Sequence, residues 1–209
     1  MTAYVLVEGH GEREAVVNLL SRLILDLKLQ MPHFSTPFRA TGIQHSEVLR
    51  RHAEAIRARK DAEALLVLRD DDDGCPSKDG PHDSDVLRKL ALPFPAAVVL
   101  AYREYESLFL PCIAQMAGKP FEAPGGLQRL GIRAGTTYEG NFEIRGVKEW
   151  LSKQMGPGKI YKPSVDQLAL TRLVSFSIVR DSGLAWFGTL ERALAFLAKN
   201  VGVHGAVYP

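Results

Sequence analysis

Two groups of carboxylates, far apart in the chain, stand where buried strands should end. Val5-Leu6-Val7 runs into Glu8-Gly9-His10-Gly11-Glu12, and Leu65-Leu66-Val67-Leu68-Arg69 runs into Asp70-Asp71-Asp72-Asp73-Gly74. In an open parallel α/β sheet, ligands bind in the crevice beyond the carboxyl ends of the strands. Carboxylates delivered there from two strands suit a hard divalent cation, Mg²⁺ or Mn²⁺, held by oxygen atoms and water.

Four adjacent aspartates repel one another, and exposure, protonation or a cation relieves the crowding. A solvated acidic loop is the ordinary reading of such a run. Here an aliphatic strand leads directly into it, and in an extended segment Asp70 and Asp72 point to the same side, so that both could hold one ion. Glu8, at the end of an apolar strand, has little structural reason to be there. Glu12, near a helix start, either favours the helix dipole or joins the site. Gly9 and Gly11 would let backbone N–H groups approach an anion. His10 between them either contacts phosphate or is an exposed turn residue.

Other readings of the acidic run fail on spacing. An EF-hand loop with Gly74 at its sixth position would need Arg69 as first ligand and Gly80 as the bidentate glutamate. A haloacid-dehalogenase-type phosphatase expects its Asp-x-Asp on the first strand. No GxxxxGK[ST] loop is present, so the chain is not itself a P-loop ATPase.

With 209 residues, 46% hydrophobic and 24% charged, the chain reads as one compact globular unit with a full core. A net charge of +2 does not by itself mark a nucleic-acid binder. Basic residues bunch at Arg50, Arg51, Arg57, Arg59 and Lys60, and again from Arg129 to Lys162, as solvated helix faces or phosphate contacts. Cys75 and Cys112 form no CxxC pair, which excludes a Cys-rich zinc site and points to a reducing, cytoplasmic setting. No basic stretch precedes an apolar leader, and no apolar run approaches the roughly 18 residues of a membrane span, so a soluble, unexported protein without a membrane partner is expected.

The elements that must position these residues follow from periodicity. Tyr4–Val7 reads as a strand, then a glycine-bounded turn, then a helix with Ala15, Val16, Leu19, Leu20, Leu23, Ile24 and Leu27 at three- and four-residue intervals. Phe34–Ala40 is a candidate edge or bulged strand because of Pro37. Ser46 is a candidate N-cap for a helix to about Lys60 with Leu49, Ala53 and Ile56 inward. Ala64–Leu68 is a strand covered on both sides. Asp71–Asp83 reads as loop, Ser84–Leu92 as helix and Pro95–Tyr102 as the next buried strand. The alternation predicts an α/β, doubly wound, mostly parallel sheet flanked by helices. Beyond Leu110 glycines and prolines punctuate the chain and strands are not obvious. Helices are expected at Val147–Met155, after a Ser164-x-x-Gln167 capping box, and through Leu190, Leu194 and Leu197. The division is thus a core over 1–110 and a mainly helical extension over 111–209.

A strand ending in Glu-Gly, a second glutamate four residues on, and a later strand ending in Asp-x-Asp together resemble the TOPRIM fold of topoisomerases, bacterial primases and overcoming-lysogenization-defect nucleases. Tyr102-Arg103-Glu104-Tyr105-Glu106-Ser107-Leu108-Phe109-Leu110 is similar to the Arg-Glu-x-Glu-Ala-Trp-x-Leu signature of the TOPRIM-like proteins grouped as domain-of-unknown-function family 4276. Tyr161-Lys162-Pro163-Ser164 resembles that family's Tyr-x-Lys segment, and Ser182–Leu194 its closing helix. Ser107-Leu108 departs from the usual small-aromatic pair, and a proline follows Lys162.

The resemblance implies Glu8, Asp70 and Asp72 as metal ligands or general base, with Glu12 and Asp73 available to a second ion. Glu104 and Glu106 both reach the site if the strand is still extended there; only one does if helix has begun. Lys159 and Lys162 either stabilise phosphoryl charge or lie in an ordinary surface loop. It also implies nucleic acid as substrate and a partner ATPase of the kind encoded beside such proteins in bacterial defence loci. The expectation is a Mg²⁺- or Mn²⁺-dependent phosphodiesterase, a nuclease, whose ions activate water and steady the leaving oxygen. Its rivals are a non-catalytic metal- or nucleotide-binding partner of an ATPase and a phosphatase of small phosphoesters.

Overall fold

A computed structural model describes residues 1–9, 12–123 and 126–209, with the side chains of Glu12, Ala123 and 127–130 outside that description. Six strands form one sheet in which every strand pair is parallel: β1 (Thr2–Val7), β2 (His33–Phe34), β3 (Phe38–Arg39), β4 (Ala62–Asp71), β5 (Ala96–Tyr102) and β8 (Val207–Tyr208). The order is β2-β1-β4-β5-β8, with β3 also on the outer edge of β1. Helices α1 (Glu12–Asp26) and α8 (Ala185–Lys199) cover one face; α2 (Ser46–Arg57) and α3 (Pro76–Lys89) cover the other. This is the expected α/β architecture, Rossmann-like in its layers. Among the described residues no helix is long and apolar enough to cross a membrane.

Side chains alternate across each strand, so the sheet divides the core in two. Ala3, Val5 and Val7 of β1 pack with Ala64, Leu66 and Leu68 of β4 beneath α1 and α8. Tyr4 and Leu6 pack with Leu65 and Val67 beneath α2 and α3. The register Leu6↔Val67 and Val7↔Leu68 fixes which residues leave the sheet on which side.

Several local expectations need correction. The segment around Pro37 is two short strands instead of one, since proline has no N–H to give a ladder. The loop expected over Asp71–Asp83 is strand and helix: β4 continues to Asp71 and α3 starts at Pro76. Proline suits the first helical position, where its missing N–H costs nothing. The Asp79 carboxylate accepts the Cys75 N–H at 2.7 Å, and buried Asp83 ties the helix to the strand through Arg69. Ser46 makes no cap hydrogen bond and meets His82 instead. The Ser164–Gln167 capping box does not form either: a π-turn spans Pro163–Gln167 before α6 (Leu168–Leu173), because Asp166 takes the Lys162 N–H at 2.8 Å and Gln167 turns inward.

The later half is less purely helical than expected. It holds α4 (Ile113–Met116), an antiparallel hairpin of β6 (Pro120–Ala123) and β7 (Leu127–Leu130), α5 (Val147–Gln154) and α7 (Phe176–Ser182), and it returns β8 to the main sheet. It shares the α1-side core with residues of the first half. Arg22 of α1 donates to the carbonyls of Thr171 and Val174, closing the two halves together.

Candidate functional site

The four aspartates at the end of β4 have four different surroundings, set by the alternation of the strand. Asp71 points to the α2/α3 face, where Arg69 donates to it at 3.2 Å and to Asp83 at 3.0 Å; Arg69 and Asp71 are each only 5% exposed. Burial pushes the Asp71 and Asp83 carboxyls up, and the Arg69 guanidinium partly offsets this. Asp72 lies past the strand, exposed, its carbonyl accepting Arg103 at 2.6 Å. Asp73 is an exposed ion-pair partner of Arg145.

Asp70 continues the opposite face, that of Leu66 and Leu68. One of its oxygens accepts the Tyr105 N–H at 2.8 Å, and the other lies 3.4 Å from the Lys148 ammonium. The same ammonium lies 3.5 Å from Glu106 Oε2. Glu106 is fully buried in a 3₁₀ helix, Tyr105–Cys112, that follows β5. Its Oε1 accepts from the Tyr161 hydroxyl at 2.9 Å and Gln167 Nε2 at 3.3 Å, while Oε2 has no hydrogen bond. Burial raises the Glu106 carboxyl above the usual range, with Lys148 and Tyr161 opposing. For Lys148, burial works against the charge, yet Glu106, Asp70 and Glu104 together overcome it and hold the ammonium above the ordinary lysine value.

Helix onset settles which glutamate enters this cluster. Glu104 ends the extended segment, and its two oxygens accept the backbone N–H groups of Gly146 and Lys148, each at 3.2 Å. It therefore anchors the start of α5 and so fixes where Lys148 stands.

Glu8 follows Val7 on the side of Tyr4 and Leu6, the α2/α3 face. It is half-buried; burial raises its carboxyl, while Arg69 and the Gly42 N–H pull it down. Glu8 and Asp70 therefore leave the same sheet edge toward opposite layers. Paired residues of β1 and β4 share a face and Glu8 falls level with Arg69, which separates Glu8 from Asp70, whereas Asp72 is near enough to Glu8 to raise its carboxyl. Among the described residues no three His, Cys, Asp or Glu side chains are gathered to hold a metal ion. Gly9 is half-buried beside Glu8. His10, Gly11 and the Glu12 side chain lie outside the described residues.

Of the expected lysines, Lys162 is exposed; its backbone N–H donates to the Asp166 carboxylate and its carbonyl accepts the Val165 and Asp166 N–H groups. Lys159 sits in a turn closed by its own N–H on Gly156. The cation in the cluster is Lys148, and the buried residue of the Tyr-x-Lys segment is Tyr161. In sequence Lys148 is one more charge on an amphipathic helix; its only signal is the glutamate pair that the α5 start and its ammonium require. Comparison with protein-family models, curated proteins and solved structures finds no match.

Proposed function

We propose that this protein is a divalent-cation-dependent phosphodiesterase acting on nucleic acid, with Asp70, Glu106 and Lys148 at the centre of its site. One observation carries the reading: carboxylates from the end of β4 and from the 3₁₀ helix that follows β5 aim one oxygen each at a single cationic position, and the buried Glu106 oxygen there has no hydrogen bond. Mg²⁺ sites commonly use one or two protein carboxylates, with water and substrate phosphate completing the shell. The pair Asp70 and Glu106 fits that donor set. An ion held there would supply Lewis-acid stabilisation and a more acidic bound water.

The chain's own groups have separable tasks. Tyr161 and Gln167 hold Glu106 Oε1 and thereby keep Oε2 directed at the site. Lys148, 36% exposed on a flexible stem, is able to meet phosphate charge once the carboxylates are otherwise engaged. Glu8, raised by burial at the other lip of the edge, is suited to exchange a proton. The TOPRIM resemblance supports the same sheet edge, and this reading takes Glu106, in place of Asp72, as the second working carboxylate.

The test is cleavage of end-labelled single- and double-stranded DNA and RNA with Mg²⁺ or Mn²⁺. Cleavage that EDTA, Asp70→Asn and Glu106→Gln each abolish supports the reading. Cleavage of none of these polymers with either ion, or full cleavage by Glu106→Gln, overturns it.

A further inference from the structure

Beyond the two residues that β8 covers, the outer edge of β5 faces a cavity of about 480 Å³ between α3 and α8. Val98, Leu100, Tyr102 and Trp186 give it apolar walls, and Ser77, Thr189, Glu143 and Arg192 supply its polar and charged groups. Its volume lies in the range of small-molecule sites, which are mostly apolar with a few polar groups. Tyr102 has a second contact: the Arg103 guanidinium stacks on its ring, 4.4 Å from the centroid.

Arg103 is held unusually. Its φ is 69°, a left-handed backbone that costs a non-glycine residue strain. Its N–H donates to the Asp71 carbonyl at 3.2 Å and its Nη1 to the Asp72 carbonyl at 2.6 Å. Other cations nearby are engaged: Arg69 by Asp71 and Asp83, Arg145 by Asp73, Lys148 by Asp70 and Glu106, and Arg192 on the cavity wall by the Tyr208 and Thr189 hydroxyls. Arg103 has no carboxylate partner among the described residues. A guanidinium fixed by stacking and carbonyl contacts, with N–H donors left over, is prepared for a phosphate.

We infer that Arg103 and the β5-edge cavity form a nucleotide subsite, the phosphate on the guanidinium and the base against Tyr102, Leu100 and Trp186. Next to the acidic edge, such a subsite would hold a nucleotide flanking the bond that is cut, so the inference rests on the phosphodiesterase reading for its purpose. Aromatic stacking accepts any base, so little base preference is expected.

Calorimetric titration without metal tests this, using a nucleoside monophosphate, inorganic phosphate and a short oligonucleotide. The wild type should bind the nucleotide and the oligonucleotide, and Arg103→Gln should weaken both about tenfold or more, the loss expected for one charge-assisted contact. Ala185→Trp, at an exposed position on the cavity wall, should weaken the nucleotide and leave inorganic phosphate unaffected. No binding by the wild type at millimolar nucleotide, or equal binding by Arg103→Gln with unchanged melting, overturns the inference. Neither titration depends on cleavage, so failure here leaves the hydrolase reading standing, and an inactive protein that binds as described fails only that reading.

Discussion

Replacing Arg69 by methionine isolates the residue that divides the acidic run. Arg69 holds Asp83 through two contacts, at 3.0 and 3.1 Å, and Asp71 at 3.2 Å, and also donates to the Asp70 carbonyl at 3.0 Å. Methionine fills the aliphatic part of the space and leaves two carboxylates buried without a counterion. Removing one partner of a buried pair costs about 3–5 kcal/mol. In a chain of this size that corresponds to a melting temperature lower by roughly 6–20 °C. The deficit should depend on pH in a definite direction. Asp71 and Asp83 are already raised by burial, and loss of the guanidinium raises them further. A carboxyl raised in the folded state contributes stability that is present below its unfolded pKa and lost as pH rises through its folded one. The variant should therefore recover on acidification toward the ordinary carboxylate range, as should Arg69→Met combined with Asp71→Asn and Asp83→Asn at neutral pH. Thermal melting followed by circular dichroism from pH 4.5 to 8 reads all three proteins. A single variant that melts within about 2 °C of the wild type at pH 7 would refute the claim that this triad is a buried ionic unit.

Two further outcomes follow from the Lys148 cluster. Lys148→Met should lower stability by about 1–2 kcal/mol, the scale of a lost charged contact discounted for partial exposure; it should also enlarge the rise in melting temperature on adding Mn²⁺, since the ammonium no longer competes for Asp70 and Glu106. Glu106→Gln removes a carboxyl raised by burial, so the wild type should lose stability relative to this variant as pH rises from about 4, measured as the difference between their melting temperatures across pH.

The strands that carry the candidate residues were readable because their interiors are short aliphatic runs, and β1, β4 and β5 lie where those runs stand. The face each residue takes was not readable, since it depends on the register between β1 and β4. A shift of one position would put Glu8 on Asp70's side. The α3 start was hidden for a related reason: Pro76, Asp79, Pro81 and Asp83 have loop composition, and the helix is fixed by Pro76 at its first position and by Asp83 reaching Arg69 on a strand. Lys148 was invisible because its partners come from the end of β4 and the 3₁₀ helix after β5, both distant in the chain, whereas the helix that carries it was legible from its own apolar spacing.

The Asp70–Lys148 contact joins residues 78 positions apart, and Arg22 reaches carbonyls still further along the chain. Closing such long loops must precede any gain from the contacts they make. Strands β1, β4 and β5 can pair using the first half alone, yet Lys148, Tyr161 and Gln167 arrive from the second. During synthesis or refolding, sheet structure should therefore appear before the acidic pocket is completed. Under the proposed phosphodiesterase reading, this order of assembly would keep the chain inactive toward the nucleic acid around the ribosome until its later half has docked.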